Sequence, residues 1–209
     1  AGFVIVGDPV GDSLFLYLGG FTRVGNVNKA LLQKRDASDG KVLWTRTWGA
    51  IPHGHHEIDG IAIVGDDLYV SHYVDYDASS PPLPQPGSAP HCFYKGVPVI
   101  CGPRGLKASA GRLFRNDGNG RFTDVSRMAG LRLGPAGFGL GAVWSDLDDD
   151  GDLDLFVAND SMPNFLYRND GAGWFDEVGV VAGAAYSEEG QTQAGMGVDA
   201  ADYDNDGRL

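Results

Sequence analysis

A pattern recurs along this chain with a period a little over fifty residues, and nothing constrains its folding more. Leu113-Phe114-Arg115-Asn116-Asp117-Gly118-Asn119-Gly120-Arg121-Phe122-Thr123-Asp124-Val125 returns as Leu166-Tyr167-Arg168-Asn169-Asp170-Gly171-Ala172-Gly173-Trp174-Phe175-Asp176-Glu177-Val178, an offset of 53. Gly139-Leu140-Gly141-Ala142-Val143-Trp144-Ser145-Asp146 returns as Gly195-Met196-Gly197-Val198-Asp199-Ala200-Ala201-Asp202, an offset of 56. Units of this length bury their apolar faces by stacking on copies of themselves. In the best-defined copy four short β runs fit one period: residues 141–144, 153–158, 165–168 and 174–178. Asn169-Asp170-Gly171 supplies the φ > 0 positions of the turn between the last two. Four antiparallel strands per repeat is the content of one propeller blade.

The same pattern extends backwards. Residues 61–64 and 68–71, joined by Gly65-Asp66-Asp67, begin a blade that residues 113–116 and 122–125 complete. Before it, residues 3–6, 14–18, 30–35 and 42–47 make another set of four. The expectation is therefore an all-β chain of propeller-type blades, about three blades plus the start of a fourth, in one domain over residues 1–209. The blades fall at about 1–50, 58–126, 139–180 and 195–209, with residues 73–112 inserted in the second. Propellers close with about 4–8 blades. The ring is thus expected to be incomplete within these residues, its edges covered by more of the polypeptide or by neighbouring chains adding strands.

Between the first two strands of the third blade lies Asp146-Leu147-Asp148-Asp149-Asp150-Gly151-Asp152-Leu153-Asp154, six carboxylates in nine residues. Carboxylates only a few Å apart repel by roughly 1–4 kcal/mol per pair, so such a loop calls for a cation. All-oxygen donors suit a hard ion, and five or more of them suit Ca²⁺ better than Mg²⁺, which keeps its waters. The spacing predicts side-chain ligands Asp146, Asp148 and Asp150, a bend at Gly151, the Asp152 carbonyl, and Asp154 closing at position 9, with the Asp149 and Asp152 side chains turned to water. The loop is not an EF-hand, which needs Glu at position 12, here Val157, and flanking helices. Asp202-Tyr203-Asp204-Asn205-Asp206-Gly207-Arg208-Leu209 begins the same phrase, giving Asp202, Asp204, Asp206 and the Arg208 carbonyl as ligands of a second ion. Position 9 there would be residue 210, so weaker binding is expected unless another chain completes the site.

A net charge of −12 disfavours nucleic acid and anionic membrane as partners. No apolar run reaches the ~18 residues a spanning helix needs, and any signal peptide is expected to have been removed. Cys92 and Cys101, the only cysteines, sit in a Pro/Gly-rich segment with no zinc-type spacing. A local disulfide closing that loop, and hence an oxidising compartment where Ca²⁺ is plentiful, is the reading preferred over two free thiols.

Several phrases in residues 60–209 resemble one family. Tyr73-Val74-Asp75-Tyr76-Asp77, then Cys92-Phe93-Tyr94-Lys95-Gly96-Val97-Pro98-Val99-Ile100-Cys101-Gly102-Pro103-Arg104-Gly105-Leu106, then Leu113 to Gly118, then the Asp-rich loop followed by Leu155-Phe156-Val157-Ala158-Asn159-Asp160, look like FG-GAP/VCBS repeat proteins of the cartilage acidic protein type. That resemblance implies a secreted β-propeller akin to the head of integrin α chains, with calcium at Asp146, Asp148, Asp150, Asp152 and Asp154 and again at Asp202, Asp204, Asp206 and Arg208. Residues 30–44 are instead similar to SBBP-type propeller repeats, which lack the Asp ladder.

Other features carry competing readings. Residues 53–59 hold three of the five histidines, either a transition-metal site or an inter-blade loop. Asn159-Asp160-Ser161 is a glycosylation sequon. Trp44, Trp48, Trp144 and Trp174 suit blade packing better than sugar stacking. No nucleophile elbow or phosphate-binding glycine loop is present. The sequence thus predicts an extracellular or cell-surface calcium-binding module, not an enzyme, that binds a protein or glycan. The rival readings are a filament or matrix subunit that self-assembles through open blade edges, and a glycan-active propeller enzyme.

Overall fold

The computed structural model describes residues 2–7, 14–24, 27–36, 42–48, 60–64, 67–75, 92–99, 103, 106–118, 121–131, 134–204 and 206. Strands β1 (Gly2–Gly7), β2 (Leu14–Val24), β3 (Val27–Asp36) and β4 (Val42–Trp48) form one antiparallel sheet in chain order. Strands β5 (Gly60–Val64) and β6 (Asp67–Ser71) begin the second sheet. A small hairpin of β7 (Cys92–Tyr94) and β8 (Val97–Val99) follows, turning through Lys95 and Gly96, both at φ > 0 as a tight hairpin turn requires. Then β9 (Arg112–Gly118) and β10 (Arg121–Asp124) complete the sheet in the order β5-β6-β9-β10. The third sheet runs β11 (Gly139–Ser145), β12 (Asp154–Met162), β13 (Phe165–Asn169), β14 (Phe175–Glu177).

These are the three blades expected from the repeat, each of four antiparallel strands. Among the described residues there is no α-helix. The first strands of successive sheets adjoin, β1 against β5 and β5 against β11. The insertion leaves and returns at one place: Asp75 N–H donates to the Lys107 carbonyl at 2.8 Å and Ser109 N–H to the Tyr73 carbonyl at 3.4 Å. It is an excursion from one strand junction, so it leaves the sheet intact.

Blades stack face on face, and the core lies between them. Tyr69, Leu113, Val125, Ala129 and Leu131 from the second blade and its exit turn pack with Leu155, Val157, Phe165, Tyr167 and Phe175 from the third. Four successive residues of β6, Leu68 to Ser71, are buried, as are Asp154 and Leu155 and then Val157 to Asn159 in β12. A strand covered on both faces loses the polar alternation of a half-exposed one, which is why these stretches read as unbroken apolar runs. Trp144 packs edge-on against Phe175 with centroids 5.6 Å apart, in the packing role expected for it.

The start of a fourth blade is present in position but not in ladder. Gly195 N–H donates to the Asn159 carbonyl at 3.0 Å, as Gly139 N–H donates to the His72 carbonyl at 3.1 Å one blade earlier. Gly141 backs onto Gly197 and Val198. Residues 195–201 therefore occupy the place of a first strand but form no ladder, because among the described residues no second strand pairs with them. Only β15 (Gln193–Ala194), just before, pairs with β12.

Candidate metal centre

The loop between β11 and β12 folds around its own carboxylates. Asp146 accepts the Asp150 and Gly151 amides at 3.1 and 3.0 Å, and Asp150 Oδ1 accepts the Asp152 amide at 2.9 Å. Asp149 takes φ 60° and Gly151 φ 95°; both are left-handed, a conformation glycine adopts freely and aspartate tolerates. The effect is to bring carboxylate oxygens of Asp146, Asp148 and Asp150 within 4.8 Å of one another. Asp148 is exposed, yet the neighbouring loop groups weaken its hydration and the charges of Asp150 and Asp154 add repulsion, so its carboxyl is pushed above the usual aspartate range. Carboxylate oxygens from three residues converging in this way fit a hard divalent cation.

Asp154 stands apart. Only 2% exposed, it spends Oδ2 on the Leu147 amide at 3.1 Å and Oδ1 on the Asn169 amide at 2.9 Å. It thereby ties the loop to β13, whose Asn169 returns a bond from Nδ2 to the Leu153 carbonyl at 3.1 Å. Each carboxylate oxygen has a second lone pair, so this pinning is compatible with closing the metal site at position 9. Asp152, predicted to face water, is part-exposed, and its carboxylate also approaches Gly171, where a Cβ would stand 2.5 Å from Oδ2. The turn at Gly171, at φ 73°, must therefore be glycine on two counts.

The second Asp loop repeats the first as far as it is described. Asp202, Asp204 and Asp206 also bring carboxylate oxygens within 4.8 Å, and the Asp206 amide donates to Asp202 Oδ1 at 3.2 Å. Arg208 lies outside the described residues, as do Cys101, with its expected bond to Cys92, the histidine-rich residues 53–59 and the Pro-rich residues 79–87.

Two further positions need comment. Asn159 is fully buried; its Nδ2 donates to the Pro163 carbonyl at 2.8 Å and its amide to Asn164 Oδ1 at 3.0 Å. A glycan has no room there, so the sequon is not an acceptor in this fold. Asp67, which spacing did not single out, is the counterpart of Asp154: at the start of β6, its Oδ1 accepts the Asn116 amide at 2.9 Å. The shared signal was an Asp-Leu pair opening each second strand, ahead of Arg-Asn-Asp-Gly in the third.

Stacked four-stranded blades, one of them carrying an acidic loop between its first two strands, define a propeller-type repeat protein. Residues 99–157 and 146–209 each match the FG-GAP-like repeat, together just over half of the sequence, and the chain belongs to that family. No curated protein and no solved structure matches it.

Proposed function

We propose that the protein is an extracellular calcium-binding module that engages a protein or glycan ligand. The reading is carried by the convergence of the Asp146, Asp148 and Asp150 carboxylates, the donor set a calcium ion takes. Those three residues would hold the ion, with Asp154 beneath them. The ion supplies charge neutralisation, making the loop a rigid strut between β11 and β12 instead of a patch of repulsion. The finer likeness to the cartilage acidic protein type, and of residues 30–44 to SBBP-type repeats, belongs to this same reading.

Ligand engagement is assigned to the insertion. Its β7–β8 hairpin ends in exposed Lys95 and Gly96, and the insertion leaves and rejoins the blade at the Asp75–Lys107 and Tyr73–Ser109 backbone bonds. A loop held by a rigid scaffold is where recognition sits. Calorimetric titration with CaCl₂ tests the metal; absence of binding heat and an unchanged melt in excess chelator would reject it. Glycan and extracellular-protein arrays probed with the intact chain and with a Lys95→Glu, Gly96→Ala variant test the ligand face, and identical profiles would remove the hairpin from it. An enzymatic reading stands on residues 53–59 alone and predicts turnover on a glycan panel.

A further inference from the structure

Where the second and third blades meet, a small cavity lies beneath the point at which the insertion returns. Tyr69 and His72 line it from the second blade, Asn159 and Tyr167 from the third, and the returning chain closes it at Ser109 and Gly111. None of those four blade residues is more than 9% exposed. The cavity has a volume of about 10 Å³, room for one water molecule and too little for anything with a carbon skeleton.

One acceptor in its wall is orphaned. Asn159 spends Nδ2 on the Pro163 carbonyl and its backbone amide on Asn164, but its buried Oδ1 has no hydrogen-bond partner among the described residues. Leaving such an atom unmet costs about 1–3 kcal/mol. A Cβ on Gly137, another wall residue, would stand 2.5 Å from that oxygen, so glycine there keeps its approach clear. Potential donors are close. The Tyr69 hydroxyl ends against Gly111. Burial first, and then the charge of Tyr167, raises the Tyr69 phenol far above its usual range; burial first, and then Glu177, does the same for Tyr167. Both phenols keep their protons and can donate.

We propose that this cavity is a binding site for a single water molecule, which donates to Asn159 Oδ1 and accepts from the Tyr69 hydroxyl, bridging the third blade to the second. Apolar cavities stay dry, whereas a polar one of this size with at least two partners holds a water. None of the lining residues is acidic, so nothing there would neutralise a cation in its place. The site goes beyond the calcium reading and uses neither Asp loop, so chelation leaves it standing.

A high-resolution crystal structure of the intact chain in chelator reads the site directly, with one water expected at about 2.7–3.2 Å from Asn159 Oδ1. In solution, oxygen-17 relaxation dispersion counts long-lived internal waters. Asn159→Leu, which removes the acceptor at similar size, should lose one of them. Tyr69→Phe leaves the Asn159 bonds to Pro163 and Asn164 in place, and should shorten the residence of that water several-fold. A map with no water at Oδ1 overturns the proposal, as does an unchanged count in Asn159→Leu. A water whose exchange Tyr69→Phe leaves unaltered overturns the bridge between blades.

Discussion

The second and third blades make the same backbone framework, yet only the third carries an aspartate ladder. In both, an aspartate opening the second strand accepts an amide from the third strand, Asp67 from Asn116 and Asp154 from Asn169, each at 2.9 Å. In both, the asparagine that donates accepts back from a glycine two residues on, Asn116 from Gly118 at 2.9 Å and Asn169 from Gly171 at 3.1 Å. The acid ending the fourth strand then caps the exit turn, Asp124 to the Ser126 amide and Glu177 to the Gly179 amide. In these two blades one loop aspartate, the pin, bonds to the third strand of its own sheet. The additional carboxylates at 146, 148 and 150 contribute repulsion and no blade-forming bond beyond their own loop, and their oxygens converge on one another.

The largest test of that comparison is in the core, where the two blades should behave alike. Leu68 and Leu155 follow the two pins and are fully buried. Replacing either with Ala should cost about 2–5 kcal/mol in chemical denaturation, with or without calcium. A cost confined to one blade would break the equivalence.

Calcium should separate the blades. Saturation to about a hundredfold above Kd adds about 2.7 kcal/mol to the native state. Hydrogen exchange should place the protection around residues 146–154 and leave residues 60–71 unchanged. Protection spread evenly would mean the ion does not act through the ladder.

The pins should be indifferent to calcium in sign. Asp67→Ala strands one backbone amide and Asp154→Ala two, and each should cost about 1–3 kcal/mol or more even in chelator. Asp148→Asn should do the reverse: weaker calcium binding, but an equal or slightly higher Tm in chelator, because it removes repulsion. If Asp154→Ala proves harmless without calcium, the pinning role is wrong.

The smallest effects lie in acid titration. Asp170 is held below the usual aspartate range by the Trp174 and Ala172 amides, and Asp117 by the Thr123 hydroxyl and Arg115. Each contributes stability that is present above its unfolded pKa and lost as pH falls through its folded pKa. Asp148, raised, has the opposite sign: in chelator its contribution is present below the unfolded pKa and lost as pH climbs through the folded one. Carboxyl NMR titration of the metal-free protein should show Asp148 titrating last of the three; a normal Asp148 would mean its carboxylate is not crowded.

Much of the fold was written in local pattern. Period, strand order within each blade and a turn after Asn169 all follow from short-range rules, alternating apolar runs bounded by glycine and aspartate, though the turn's φ > 0 residues are Gly171 and Gly173, not Asn169 or Asp170. The ladder's three convergent donors were equally legible, since residues two apart in a tight turn have few ways to point. What spacing misread was a residue whose role depends on its packing: Asn159, a sequon by letters and a buried hydrogen-bonding residue in space.

By itself, then, the sequence determined the repeating β unit and the acidic loop, because both are decided by contacts within a few residues along the chain. Tertiary structure alone decided which aspartate serves as pin, since its partner amide lies 49 residues away in one blade and 15 in the other, and no fixed spacing encodes that bond. It also decided that Asn159 is buried. Burial belongs to the neighbour that covers a surface, and the neighbour is not written in the segment it covers.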